Sequence, residues 1–214
     1  MARLKVGVLI SGRGSNLAAL IAACADPAFP AEIVLVLSNR PDALGLERAR
    51  QAGLATAVID HRGRSREDFE QAVDAALRQA GVELICLAGF MRLLTAGFVA
   101  RWPDRILNIH PSLLPAFKGL HVHEQALAAG VRISGCTVHV VRAETDAGPI
   151  VAQAAVPVLE GDSADSLAMR ILAAEHRLYP LALRLFAEGR AVVADERVRL
   201  DGTGPAGPAL FSPC

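Results

Sequence analysis

The sequence predicts an α/β protein: a Rossmann-like, mostly parallel twisted sheet with flanking helices and an antiparallel C-terminal part. Three observations predict it. Short, largely apolar runs, Leu4 to Ile10, Ile33 to Leu37 and Leu84 to Ala88, have the pattern of strands covered on both faces. Segments with apolar residues at helical spacing alternate with them, stopped by Gly53 and Gly81, as right-handed crossover units require. Further on, Ile133 to Val141 and Ile150 to Val158 flank a single loop and suit an antiparallel or edge addition to the parallel sheet.

Composition narrows the function classes. With 214 residues, 52% apolar and 21% charged, the chain can bury one large core, and no internal repeat or second core is visible. Lys and Arg number 22, as do Asp and Glu, so no overall basic field would hold a polyanion, and a nucleic-acid partner is not expected. No apolar run approaches the ~20 residues of a membrane helix, and the run after the N-terminus is too short for a signal-peptide core. A cytoplasmic protein without membrane contact is expected. Cys24, Cys86, Cys136 and Cys214 lack the paired spacing of a zinc or redox motif and are expected reduced, Cys24 and Cys86 as core residues. Cys136 and His139, three apart on a strand, fall on opposite faces and make a poor nucleophile–base pair.

The first strand runs into Ser11-Gly12-Arg13-Gly14-Ser15-Asn16, after which Leu17, Leu20, Ile21 and Cys24 recur at helical spacing. Strand, Gly-rich turn and helix start form an anion-binding arrangement, because free backbone N–H groups and the helix dipole point at the turn. A glycine lets the main chain approach a phosphate closely. The dinucleotide fingerprint needs a glycine where Asn16 stands, so one phosphate fits better than a dinucleotide; a purely structural turn is the alternative.

A helix over 43–52 and a strand over 56–59 follow. Ser65 caps the next helix, whose stripe is Phe69, Val73, Ala76, Leu77 and Ala80. Arg66 stands in its first turn, where the dipole disfavours a cation; it signals an anionic ligand or is an ordinary solvated Arg. After Ala88, the segment Gly89-Phe90-Met91-Arg92-Leu93-Leu94 either lines a slot for a flat ligand or is buried under a helix. A helix over 124–129 precedes the two later strands. Asp162 or Ser163 caps a long helix reaching Gly189, with a kink expected at Pro180. A hairpin turning at Asp195-Glu196 closes a domain of residues 1–201, and the Gly- and Pro-rich 202–214 tail is expected to be disordered.

The chemistry concentrates in Ile106 to Pro115. Asn108 and His110, two apart on a strand, share a face, and Pro111 ends regular pairing just beyond them. The exit of such a strand is where open α/β sheets bind ligands. The loop Ala143 to Ile150 could bring the Asp146 carboxylate toward the imidazole, making a proton-transfer and charge-stabilising group. The bland reading of His110 is a core histidine with a satisfied hydrogen bond.

These stretches resemble the phosphoribosylglycinamide formyltransferase family. The matching segments are LISGRGSNL, LSNRPDALGLERARQAG, LAGFMRLL, LNIHPSLLPAF with GLHVHEQAL, TVHVV, DAGPIVAQAAVPV and AEHRLYPLAL, covering the chain to about Gly189. The resemblance implies a single-domain formyltransferase fold, the part up to about residue 100 phosphate- and nucleotide-binding and the remainder catalytic and folate-binding. It implies transfer of the formyl group of 10-formyltetrahydrofolate to the primary amine of glycinamide ribonucleotide, a step of purine synthesis, directly through a tetrahedral intermediate. By position, Asn108, His110 and Asp146 match the family's catalytic residues. Gly14, Ser15 and Asn16 match the loop holding the substrate phosphate; Gly89, Met91, Pro111 and Glu175 match positions around the rest of that substrate. Arg66, Met91, Arg92, Leu93, Leu94 and Asn108 match folate-binding positions. No metal is implied, and His121, His123 and His139 show no ligand set for one. The implied partners are small molecules, the protein a monomer or homodimer. Arg13 and Lys118 depart from the family pattern without touching the proposed chemistry. Formyltetrahydrofolate deformylase, methionyl-tRNA formyltransferase and a non-catalytic nucleotide-binding module are the rival readings; the first two would carry an added domain.

Overall fold

A computed structural model describes residues 2–202. The chain alternates strand and helix in its first half: β1 (Leu4–Ile10), α1 (Ser15–Cys24), β2 (Ala31–Ser38), α2 (Leu44–Gln51), β3 (Thr56–Val58), α3 (Arg66–Gln79), β4 (Leu84–Leu87), α4 (Ala96–Arg101) and β5 (Ile106–His110). It continues with α5 (Val122–Ala128), β6 (Ile133–Val140), β7 (Ile150–Pro157), α6 (Ala164–Ala187), β8 (Ala191–Ala194) and β9 (Arg197–Leu200). Seven strands form one sheet in the order β3-β2-β1-β4-β5-β6-β7, and β8 pairs with β9 separately. β1 to β5 run parallel, while β6 is antiparallel to both β5 and β7. The chain is thus an α/β protein with a mostly parallel sheet and antiparallel additions.

The order reverses direction between β1 and β4, and this fixes which face each helix covers. Crossovers are right-handed, so helices made while the chain moves outward and those made on its return lie on opposite faces. Leu17 and Leu20 of α1 and Leu46 and Ala49 of α2 accordingly join Val6, Val8 and Ile10 in one core. Phe69, Val73 and Leu77 of α3 and Phe98 of α4 join Leu9, Leu37 and Ile85 in the other. Open α/β sheets bind ligands at the carboxyl ends of strands where the direction reverses, a point that here lies beyond β1 and β4.

Several ends are fixed by local chemistry. Ser65 accepts a hydrogen bond from the Asp68 amide at the start of α3. Ser163 and Ser166 form a reciprocal capping box at the start of α6, where loss of the cap would cost about 1 kcal/mol. Asp195 and Glu196 both adopt left-handed backbone, φ 51° and 54°, the turn that matches the twist of a two-residue hairpin. α6 continues past Pro180 as one 24-residue helix. From its middle, the fully buried Tyr179 hydroxyl is shared between the carbonyl oxygens of Leu87 and Leu107, 3.1 and 3.0 Å away, on neighbouring strands β4 and β5.

The sequence reading did not anticipate α4. It is only six residues long with Gly97 inside, too short for an apolar stripe to stand out, and it starts because Thr95 caps the Phe98 amide. The segment before it divides between the two alternatives open in the sequence: Phe90 is buried, whereas Met91 and Leu93 are 71% and 61% exposed. The tail expected to be disordered lies, beyond Gly202, outside the described residues, as does Cys214. Among the described residues no helix is long and apolar enough to cross a membrane.

Candidate active site

β5 delivers Asn108 and His110 to the same face of the sheet, and its antiparallel partner β6 sets His139 opposite Asn108 and Thr137 opposite His110. The loop from β6 to β7 turns back over this strand end through Asp146, held in left-handed backbone at φ 51°. Its carboxylate meets both imidazoles: Oδ2 lies 3.4 Å from His110 Nδ1, and Oδ1 lies 3.7 Å from His139 Nε2. The Asn108 amide nitrogen is 3.2 Å from His139 Nε2. Asn108, His110 and Asp146 are therefore brought together, with His139 as a fourth member.

The protons of this group can be assigned from its acceptors. His139 Nδ1 sits 3.1 Å from the Val140 carbonyl oxygen, which can only accept, so Nδ1 carries the hydrogen and Nε2 accepts from the Asn108 amide. Burial lowers the pKa of His139, outweighing the opposing pull of the Val140 carbonyl and Asp146, so the ring stays neutral. His110 differs. Its Nε2 meets the Phe117 carbonyl oxygen at 2.9 Å while Nδ1 faces the Asp146 carboxylate, so an acceptor stands against each ring nitrogen. The Asp146 carboxylate also accepts the Gly119 amide at 2.9 Å, and Lys118 donates to Glu144 at 3.2 Å. Two loops thus close over the imidazole.

The glycine-rich turn lies at the exit of β1. α1 begins after Gly14 with no side-chain cap and no acidic residue in its first turn, which leaves helix-start N–H groups for an anion. The fold makes its own demand on Gly14. Its φ is 72°, and a Cβ built on it would stand 2.7 Å from the Gly45 Cα of α2. The glycine is thus demanded by the fold, whatever approaches the turn. Asn16 is tied to the last helix as well. It is buried, and its amide donates to Glu175 Oε2 at 2.7 Å, leaving Oδ1 without a partner. Glu175 is itself buried on α6, and burial raises its pKa against the lowering effect of the Asn16 bond. Two residues expected to hold one substrate therefore hold each other, with an unpaired acceptor beside them.

Around the other side, Gly89 takes left-handed backbone at φ 72° immediately after β4 and turns the chain into Met91 to Leu94. The Arg92 guanidinium lies 4.9 Å over the Phe69 ring, which stacks on Phe90. Arg66 is the exposed first residue of α3, and Pro111 is half-buried just past His110. Two exposed apolar side chains beside a cation suit a flat ring with acidic substituents. Among the described residues no three His, Cys, Asp or Glu side chains gather as metal ligands. Cys136 is buried away from His139, and burial pushes its thiol up to about 12.

His139 was not legible as a site residue. Its apolar flanks in Thr137-Val138-His139-Val140 read as a buried strand, and the signal for it is the cross-strand pairing with Asn108, which a sequence alone does not display.

Residues 4–183 match the formyl transferase family. A phosphoribosylglycinamide formyltransferase of Escherichia coli (strain K12) is 45% identical over 93% of this chain and 94% of its own length. The chain belongs to the phosphoribosylglycinamide formyltransferases. In the crystal structure of glycinamide ribonucleotide transformylase 1 from Symbiobacterium toebii, 53% identical, the same fold superposes with a TM-score of 0.90 over 92% of this chain and 94% of that one. The trifunctional purine biosynthetic protein adenosine-3 of Gallus gallus is 54% identical over 90% of this chain, and the chain spans 19% of that protein's length.

Proposed function

We propose that this formyltransferase moves the formyl group of 10-formyltetrahydrofolate directly to the primary amine of glycinamide ribonucleotide, within cytoplasmic purine synthesis. The observation that carries the reading is the convergence of Asn108, His110 and Asp146 at the exit of β5. An amine attacking a formyl carbon places negative charge on its oxygen, and the departing folate nitrogen needs a proton. The Asn108 amide and a protonated His110 supply donors for that oxygen; one such donor is typically worth about 3 kcal/mol in the transition state. Asp146 holds the charge of His110 in place, and neutral His139 keeps the Asn108 amide turned.

The two substrates divide the crevice. The α1 start takes the phosphate through backbone N–H groups, and Asn16 with Glu175 offers polar atoms, one of them unpaired, to the rest of the nucleotide. Met91 and Leu93 offer apolar surface to the folate ring, and Arg66 and Arg92 offer cations to its carboxylates. For His110 to donate to substrate, Nε2 must release the Phe117 carbonyl, so the segment around Phe117 rearranges when the site fills.

A coupled assay with purified protein tests the reading. Tetrahydrofolate should appear only when 10-formyltetrahydrofolate and glycinamide ribonucleotide are both present, in equimolar yield with the formylated amine. Release of formate from the folate alone would instead make water the acceptor.

A further inference from the structure

The β1–β4 ladder ends at Leu9 and Leu87 and is continued by two backbone bonds, Ala88 N to Leu9 O at 2.9 Å and Ser11 N to Gly89 O at 3.1 Å. Beyond them the chains part, one toward α1 on one face and the other toward α4 on the opposite face. A side chain crosses the gap there. The Met91 amide donates to Ser11 Oγ at 2.8 Å, and Ser11 Oγ donates to Asn39 Oδ1 at 2.6 Å. The Asn39 amide nitrogen stands 3.2 Å from His61 Nδ1, whose ring meets Phe69 edge-on at 6.5 Å. Phe69 is the ring under Arg92. Ser11 and Asn39 are 5% and 2% exposed, and Ser11 is the residue from which the phosphate turn departs.

We propose that Ser11 and Asn39 are positioning residues that set the relative placement of the two halves of the site. The inference rests on the functional reading above, which names those halves. The hydroxyl is suited to the task because it has one hydrogen and spends it on an oxygen, so its lone pair is left to accept the Met91 amide. The bond has one direction and no slack. It therefore fixes where Met91 and Arg92 stand relative to the α1 start, at the point where the sheet no longer does so. The stack from His61 through Phe69 holds Arg92 from its other side. A purely structural polar pair would predict lost stability alone; positioning predicts that the folate half slips relative to the phosphate half.

The test compares Ser11→Ala with Ser11→Thr, which retains the hydroxyl, by steady-state kinetics with both substrates and by melting temperature. Ser11→Ala should raise KM for 10-formyltetrahydrofolate about tenfold, the scale of one buried donor left without its acceptor, with kcat within about threefold of wild type. Ser11→Thr should recover KM to within about threefold even if it melts as low as the Ala variant. Wild-type KM values in Ser11→Ala, or a Thr variant as impaired as Ala, would overturn the proposal. Hydrogen exchange of the wild-type protein needs no variant to fold: the Met91 amide should exchange slowly, and exchange at the rate of a free loop amide would overturn it too. If the wild-type protein does not formylate glycinamide ribonucleotide, the functional reading has failed, and that assay comes before any variant.

Discussion

The phosphate turn and the group around His110 occupy the same crevice but are built on opposite principles. The turn is local: one strand exit, a glycine in left-handed backbone and the first amides of α1, all within residues 10–17. The group around His110 is assembled from β5, from β6, and from a loop that returns over them, so that Asp146 reaches His110 across 36 residues of chain. The local device offers backbone dipoles, which cannot titrate or rotate. The long-range one offers side chains whose protons depend on each other. On the proposed reading, binding rests on what the fold makes unavoidable, and chemistry on what side-chain placement makes adjustable.

Substitutions can break this contrast. His110→Ala should have the largest effect, lowering kcat about a thousandfold with KM for both substrates within about threefold, because its donor acts in the transition state. Near-normal turnover in steady-state assays would remove the imidazole from the chemistry. Asp146→Asn should cost about a hundredfold in kcat, since an amide keeps the shape but not the charge that faces His110. NMR of the ring nitrogens checks it: a His110 signal unchanged by the substitution would show that the 3.4 Å contact is inert.

The other region should respond in binding alone. A substrate lacking the phosphate should bind about tenfold to a hundredfold more weakly in calorimetry, with folate affinity unchanged, if the helix-start amides hold that anion. Gly14→Ala should lower the melting temperature, because its Cβ would press on Gly45 and its φ of 72° disfavours any side chain. A fully stable Gly14→Ala protein would contradict the close packing of turn and α2.

The smallest expected effect is on pH-dependent stability. The folded-state pKa of Glu175 is raised above its ordinary 4.5, so the wild type loses stability as pH rises from 4.5 through the folded value. Glu175→Gln stays neutral, keeps an oxygen for the Asn16 amide and should melt a few degrees higher at pH 7, with the difference vanishing below pH 4.5. His139 works the other way. Its folded pKa is lowered from 6.5, so stability is full above 6.5 and is lost as pH falls below it. A melting profile of Glu175→Gln still rising from pH 5 to 7 would display that second group.

The same contrast explains what was legible in the sequence. The alternation of buried strand and helix is written in local periodicity, and so are the Ser65 cap, the Asp195-Glu196 turn and the shared face of Asn108 and His110. What local pattern could not carry were contacts between distant segments. One is the bond from the Asn16 amide to Glu175, far along the chain. Another is the packing of α2 against Gly14. His139 reads as core until antiparallel pairing sets it opposite Asn108. α4 escaped because six residues are too few to show a period.

The Tyr179 hydroxyl, shared between carbonyl oxygens of β4 and β5, means that the floor of the crevice is tied down from beneath. Where two parallel strands begin to separate, carbonyl groups would otherwise be buried without donors, and the gap would tend either to zip shut or to admit water. α6 supplies the missing donor from the far side of the sheet. The loops carrying Phe117 and Asp146 therefore reach over a strand end whose footing does not depend on them. In effect the protein separates cover from foundation: the loops supply the contacts to His110, while the base is maintained by a helix that lies on the other side of the sheet.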